Sequence, residues 1–276
     1  MTASLALVPT ACRGLAADHP QFHRLAGDPE RRFYCYVPAH CPADAIPLVL
    51  VHGISRNAAE LVCRFSAFAR QLGVPLIAPF FPASTYGMYQ QARDRKRGIH
   101  ADQALLDILE FVGRECALDV SRCDIFGFSG GAQFAHRFAF LHPQRIRRCV
   151  AVSAGWYTMP DTEVRWPYGL AGAPDGRIDR DAIRRIAFHV VVGRRDTLDD
   201  AALRRSRKLD RQQGENRLAR ARSWFRAMKD WGGNPANSLT ILPRTRHNFA
   251  SAHRRGLIPL TFELLGYPAA ISGEEH

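Results

Sequence analysis

Asp124-Ile125-Phe126-Gly127-Phe128-Ser129-Gly130-Gly131-Ala132 decides how the rest of the chain is read. Arg122 to Phe128 is an apolar run of strand length, and Ala132 to Leu141 carries apolar residues at helical spacing. A strand that passes into a helix through Ser129 must turn sharply. Glycines two residues to either side fit that turn, because side chains there would clash. The helix then aims its N-terminal N–H groups at the serine, where they favour developing negative charge. Two glycines around a serine also arise by accident. The strand before and the helix after mark Ser129 as a candidate nucleophile.

Outward from this turn, strands and helices alternate. Arg32 to Val37 alternates like a strand, and Leu48 to His52 is a continuous apolar strand ending at Gly53. Asn57 stands where it would cap a helix to about Leu72, which Gly73 ends. Val74 to Phe81 reads as a strand, Tyr86 to Gly98 as loop, and Ile99 to Cys116 as an amphipathic helix. Ile146 to Val152, Ile186 to Val192 and Leu239 to Leu242 read as strands. Ala201 to Trp231 reads as mainly helical, and Phe249 to Leu265 as a final helix. This order predicts an α/β fold with a mostly parallel central sheet and helices on both faces. No linker divides the chain, so 1–276 is expected to be a single domain. Residues 1–30 read as an N-terminal extension. Residues 155–185, rich in Gly, Pro, Trp and Tyr, read as a cap or pocket insertion after the strand that follows the serine helix.

Composition narrows the function class. The chain has 276 residues, 46% of them hydrophobic, which is ample for the core of a large domain. No apolar run approaches the ~20 residues of a membrane span. Ser4 to Val8 is short and has no basic residue before it, so it does not read as a signal peptide, and a cytoplasmic location is expected. The seven cysteines (Cys12, Cys35, Cys41, Cys63, Cys116, Cys123 and Cys149) show no CxxC or finger-like spacing. Reduced, mostly buried thiols are expected, with no metal site and no cofactor. The net charge is +12, which raises the question of a nucleic-acid partner. The basic residues are spread along the chain, however, and Arg204 to Arg222 reads as the solvated face of one or two helices. No nucleic acid is expected; an anionic substrate is the better match to the charge. The oligomeric state is not encoded in any feature of the sequence.

A serine hydroxyl needs a base within hydrogen-bond reach, and the base needs an acid to orient it. With the serine on such a turn, these partners follow in the order Ser, Asp or Glu, His, each just past a strand. Phe188 to Val192 runs into Gly193-Arg194-Arg195-Asp196, and Leu239 to Leu242 runs into Pro243-Arg244-Thr245-Arg246-His247. Ser129, Asp196 and His247 are therefore the expected triad, with Asp199 and Asp200 as alternative acids. His253 falls inside the expected last helix and faces the wrong way for a base, His136 and His142 read as structural or surface residues, and His189 as a core histidine. The N–H of Gly130 is the first expected donor to an oxyanion. The second is Ile54, then Ser55, in the turn after Leu48 to His52. His52 reads as a buttress of that turn. Trp156, Tyr157, Met159, Trp166 and Tyr168 either line an acyl pocket or pack the insertion onto the domain. Phe80, Phe81, Tyr86 and Tyr89 are weaker candidates for an opposite wall, and Arg56 and Arg194 for a carboxylate contact.

The strand-His-Gly turn, Gly-Phe-Ser-Gly-Gly, Gly-Arg-Arg-Asp and Arg-His-Asn-Phe together resemble an α/β-hydrolase, over about Pro47 to His253. Within that superfamily the chain is similar to esterases of the polyhydroxyalkanoate-depolymerase and feruloyl-esterase type. The resemblance implies a serine hydrolase that cleaves carboxylic esters through an acyl-enzyme, acting on a small-molecule or oligomeric ester. An acyltransferase or a peptidase would use the same triad, and a non-catalytic binding protein the same fold. Such esterases are often secreted and disulfide-bonded, and this sequence shows neither sign, so polymer specificity is not carried over.

Overall fold

The computed structural model describes residues 18–268 except 43, 177 and 199. Ten strands run in chain order: β1 (Gln21–Leu25), β2 (Asp28–Tyr36), β3 (Leu48–Val51), β4 (Leu76–Phe80), β5 (Arg93–Asp94), β6 (Ile99–His100), β7 (Cys123–Phe128), β8 (Ile146–Val152), β9 (Ala187–Gly193) and β10 (Ser238–Leu242). The helices are α1 (Ala58–Leu72), α2 (Ala101–Cys116), α3 (Gly130–Leu141), α4 (Arg180–Arg185), α5 (Arg207–Gln213), α6 (Arg217–Asp230), α7 (Phe249–His253) and α8 (Leu257–Leu264). Eight strands form one sheet in the order β1-β2-β4-β3-β7-β8-β9-β10. The β1–β2 and β2–β4 pairs are antiparallel, and every pair from β4 to β10 is parallel.

Alternation along the parallel strands feeds two cores. Val49, Val51, Ile125 and Ala151 point to the side covered by α2, α3 and α6, where Leu105, Phe134 and Trp224 are buried. Leu48, Leu50, Phe126 and Val150 point to the side covered by α1 and α8, where Phe65 and Phe262 are buried. A strand buried on both faces reads as a continuous apolar run, which is why Leu48 to Val51 and Cys123 to Phe128 were recognisable.

The structure departs from the sequence reading at several places. Within residues 1–30, read as an N-terminal extension, Gln21–Leu25 forms the edge strand of the sheet. Its alternation is inverted, with Phe22 exposed and His23 half-buried, so no apolar face marks it. The loop over 86–98 contains β5, which pairs with β6 at Ile99–His100, so the helix expected from Ile99 begins at Ala101. The last helix is two helices, because Gly256 sits at φ 78° between them. The segment 201–231 likewise holds two helices parted by Gly214 at φ 108°. Asn57 occupies the N-cap position of α1, but its amide donates to Glu60 Oε2 at 2.7 Å and caps no backbone N–H. Cys35, Cys41, Cys116, Cys123 and Cys149 are buried and Cys63 is exposed; Cys12 and the rest of 1–17 lie outside the described residues. Among the described residues no helix is long and apolar enough to cross a membrane.

Candidate active site

The strand-to-helix turn has the geometry the sequence demanded. Ser129 lies between β7 and α3 at φ 55°, ψ −112°, a region that serine rarely occupies. Its N–H donates to the Val152 carbonyl on β8 at 2.8 Å, which ties the turn to the sheet. The flanking glycines permit it. A Cβ on Gly127 would strike the Gly131 backbone, and a Cβ on Gly131 would strike the carbonyls of Val51 and His52. β7, α3 and the loop after β3 are thus packed backbone against backbone.

Three chain ends meet at the serine. His247 follows β10, and its Nε2 lies 3.0 Å from Ser129 Oγ. Its Nδ1 lies 3.0 Å from Oδ2 of Asp196, which follows β9. The Asp196 side chain is 1% exposed, whereas that of His247 retains 17%. The histidine ring stacks on Phe128 at 5.4 Å, and Phe249 meets Phe128 edge-on. An imidazole held between a buried carboxylate and a serine hydroxyl is set to accept the hydroxyl proton and stay oriented while charged. Asp200, an alternative acid in sequence, instead takes both arms of the Arg217 guanidinium, at 2.7 and 2.9 Å. Asp199 lies outside the described residues.

The loop after β3 closes over the turn from the other side. An added Cβ on Gly130 would lie 3.5 Å from Ile54 N. Ile54, Ser55 and Ser129 line one cavity of about 320 Å³, together with Asn57, Glu60, Phe128, His247, Asn248 and Phe249. Three side chains hold this loop. His52 Nδ1 lies 2.8 Å from the Gly53 carbonyl, and its Nε2 accepts from the Phe81 N–H at 3.0 Å. Burial drives the His52 imidazole down to about 4, so at neutral pH it is an uncharged strut. Arg56, a candidate for a carboxylate contact in sequence, instead donates from Nε to the Phe81 carbonyl and from an arm to the Ile54 carbonyl, both at 2.8 Å. Tyr89 donates its hydroxyl to the His52 carbonyl at 2.7 Å. Neither Arg56 nor Tyr89 has a sequence signature for this work. The Phe81 carbonyl held by Arg56 and the His52 carbonyl held by Tyr89 are far away in the chain.

The aromatic insertion does something other than line this cavity. Tyr157 is buried and stacks on Trp224 of α6 at 5.0 Å. Trp156 stacks on Tyr168 at 4.8 Å and covers the buried Arg137 guanidinium at 4.0 Å. Met159 is held by a backbone bond to Tyr168, and Trp166 packs against the core. None of the five is among the cavity's lining residues. Met159 lines a separate cavity with Pro160, Asp161 and Trp231. Phe81 stacks on Tyr89 and meets Tyr86 at a tilt, all three in the core. The other histidines have separate partners: His136 the Ala132 carbonyl, His142 Asp102, and His189 Ser238. Among the described residues, no group of three or more His, Cys, Asp or Glu side chains converges as metal ligands.

Solved structures with this architecture are numerous. A poly(aspartic acid) hydrolase-1 from Sphingomonas sp. KT-1 superposes with a TM-score of 0.75 at 24% identity, over 88% of this chain and 99% of that one. LpqC, a poly(3-hydroxybutyrate) depolymerase from Bordetella parapertussis, gives 0.72 at 24% identity over 92% of each chain. An S-formylglutathione hydrolase from Agrobacterium tumefaciens gives 0.57 at 19%, over 90% of this chain and 95% of that one. The chain has the α/β-hydrolase fold. No protein-family model matches the sequence, and no curated protein matches it. In this α/β-hydrolase fold the serine turn, the aspartate loop and the histidine loop all leave the same end of the parallel strands.

Proposed function

We propose that this chain is a serine hydrolase that cleaves carboxylic esters through an acyl-enzyme. The observation that carries the reading is the hydrogen-bonded series Ser129–His247–Asp196, each step 3.0 Å, at the wall of a cavity. In this reading Ser129 Oγ attacks the ester carbonyl while His247 takes its proton. Asp196 holds the imidazole in the tautomer whose Nε2 is free to accept, and stabilises the charge it gains. The tetrahedral oxyanion is met by the N–H groups of Gly130 and Ile54, with the α3 N-terminus behind them. His247 returns the proton to the departing alcohol, and water then releases the acid by the same steps in reverse. Neighbours of the same fold are named as hydrolases, esterases and a depolymerase, which supports hydrolysis at that coarse level.

The test is hydrolysis of p-nitrophenyl esters of increasing chain length by wild type and Ser129→Ala. The variant is expected to lose on the order of 10³-fold or more in kcat, with wild type alone labelled by a fluorophosphonate. Equal rates in the two proteins, or no labelling of wild type at Ser129, would overturn the reading.

A further inference from the structure

Behind the triad lies a second ion pair. Arg217 opens α6 and is 1% exposed. Its guanidinium forks onto Asp200, and one of the same arms stands 3.5 Å from Asp196 Oδ1. That oxygen, the one turned away from His247, has no hydrogen-bond partner, although Asp196 is buried. A buried carboxylate carries a large desolvation cost unless a cation stands beside it. Arg217 is that cation, and Asp200 fixes where it stands. The backbone reinforces the arrangement, since the Leu218 N–H donates to the Asp196 carbonyl at 3.3 Å.

We infer that Arg217 and Asp200 form a positioning pair for Asp196 that sets the pH at which the Ser129–His247 couple becomes active. The inference rests on the reading of Ser129 as nucleophile and His247 as base. The charges act in sequence. Arg217 repels a proton arriving on His247 across the shared carboxylate, while Asp200 attracts it and also offsets Arg217. Consistent with this pairing, the Arg217 hydrogen bonds hold the Asp200 carboxyl below its ordinary value.

Other groups surround the couple. Tyr157, a buried phenol of the insertion, feels the Asp196 charge. Arg220, one turn further along α6, is engaged by Asp210 and by the carbonyls of Gly155, Arg204 and Gly214. Glu60 of α1 lines the cavity and pairs with Arg64, and His253 of α7 lies close enough to feel Glu60. Arg244 and Arg246, on the histidine's own loop, are exposed. Only Arg217 touches the triad acid among these.

The two partners make predictions of opposite sign. Arg217→Gln removes a positive charge, so the acidic limb of kcat/KM for p-nitrophenyl acetate should move to higher pH. Asp200→Asn removes a negative charge and should move it to lower pH. Each shift should be on the order of half a pH unit to one unit. Arg217→Lys keeps the charge and should leave the limb near that of wild type, while losing the two-armed fit. Fluorophosphonate labelling rates across pH read the same limb without turnover. A purely structural role would lower the melting temperature and leave the limb in place. Limbs of Asp200→Asn and wild type that coincide, or both charge-removing variants moving the same way, would overturn the inference. If Arg217→Gln fails to fold by circular dichroism, the direction taken by Asp200→Asn alone decides. Wild type that is neither labelled nor active would remove the underlying hydrolase reading, and this inference with it. Active wild type with an unmoved limb would remove the inference alone.

Discussion

Ser129 keeps a backbone conformation that costs energy, and its neighbours explain how it is held. The stretch around it was legible in sequence because the constraint is local: glycine is needed wherever a Cβ would meet main chain. Asp196 and His247 were legible because strand ends are marked by where apolar runs stop. Arg56, Tyr89 and Arg217 were not legible. Arg56 reaches the Phe81 carbonyl, Tyr89 the His52 carbonyl and Arg217 the Asp200 carboxylate, all remote in sequence, and Arg217 stands in an arginine-rich run that reads as solvated. Burial, the property that separates Arg217 and Arg220 from the exposed arginines of that run, is set by the fold. The glycine argument can be checked directly. Gly131→Ala drives a Cβ into the Val51 and His52 carbonyls, which are backbone and cannot swing aside. A loss of about 1–3 kcal/mol or more is expected in urea unfolding, with fluorophosphonate labelling reduced. Gly27→Ala, which meets nothing within 4 Å, should stay within about 0.5 kcal/mol of wild type. Equal midpoints for the two variants would show that the turn has room to relax.

At the scale of elements, the parallel strands and the long amphipathic helices were legible, and the breaks and the insertion were not. Gly214 and Gly256 interrupt helical patterns whose apolar spacing continues across them, so periodicity alone merges the pieces. The insertion has no period at all; it is organised by α6. Trp224 is fully buried there, donates Nε1–H to the Thr158 carbonyl at 2.8 Å and stacks on Tyr157. His136 of α3 accepts from the Thr158 N–H at 3.0 Å, and Arg137 donates to its hydroxyl at 2.9 Å. Thr158 is thus the knot that ties the insertion to α3 and α6. Trp224→Phe should cost about 1–3 kcal/mol, because it strands a buried carbonyl while keeping most of the ring. Trp224→Ala should cost about 3–5 kcal/mol, because it also opens a cavity. Urea unfolding measures both. An alanine variant no worse than the phenylalanine one would mean that the ring contributes nothing by packing.

Over the whole molecule, the parallel sheet brings four loops to one end, and the buried histidines set how the fold responds to acid. His52 braces the loop over Ser129, His136 anchors the insertion, and His189 joins β9 to Ser238 on β10. Burial lowers all three, His52 and His189 to about 4 and His136 well below its ordinary value. In the unfolded chain they would titrate near 6.5. Between pH 6.5 and 4 the unfolded state therefore binds more protons than the folded one, and stability must fall as pH falls through that window. His52 alone, nearly fully buried, accounts for about 3 kcal/mol across it. The carboxyls held low, such as Asp102 against Arg93 and His142, act in the same direction but only below about 4. Melting temperatures taken from pH 7.5 to 3 span both windows; the Asp124 carboxyl, pushed up by burial, acts in the opposite direction within the histidine window, so the histidine share is read from the difference between wild type and a histidine variant. Wild type should lose stability steadily below 6.5. His189→Asn should show a shallower slope between 6.5 and 4 and the wild-type slope below it. A wild-type melting temperature flat down to pH 4 would mean that these histidines protonate inside the fold, and that the struts beneath the Ser129 loop tolerate charge.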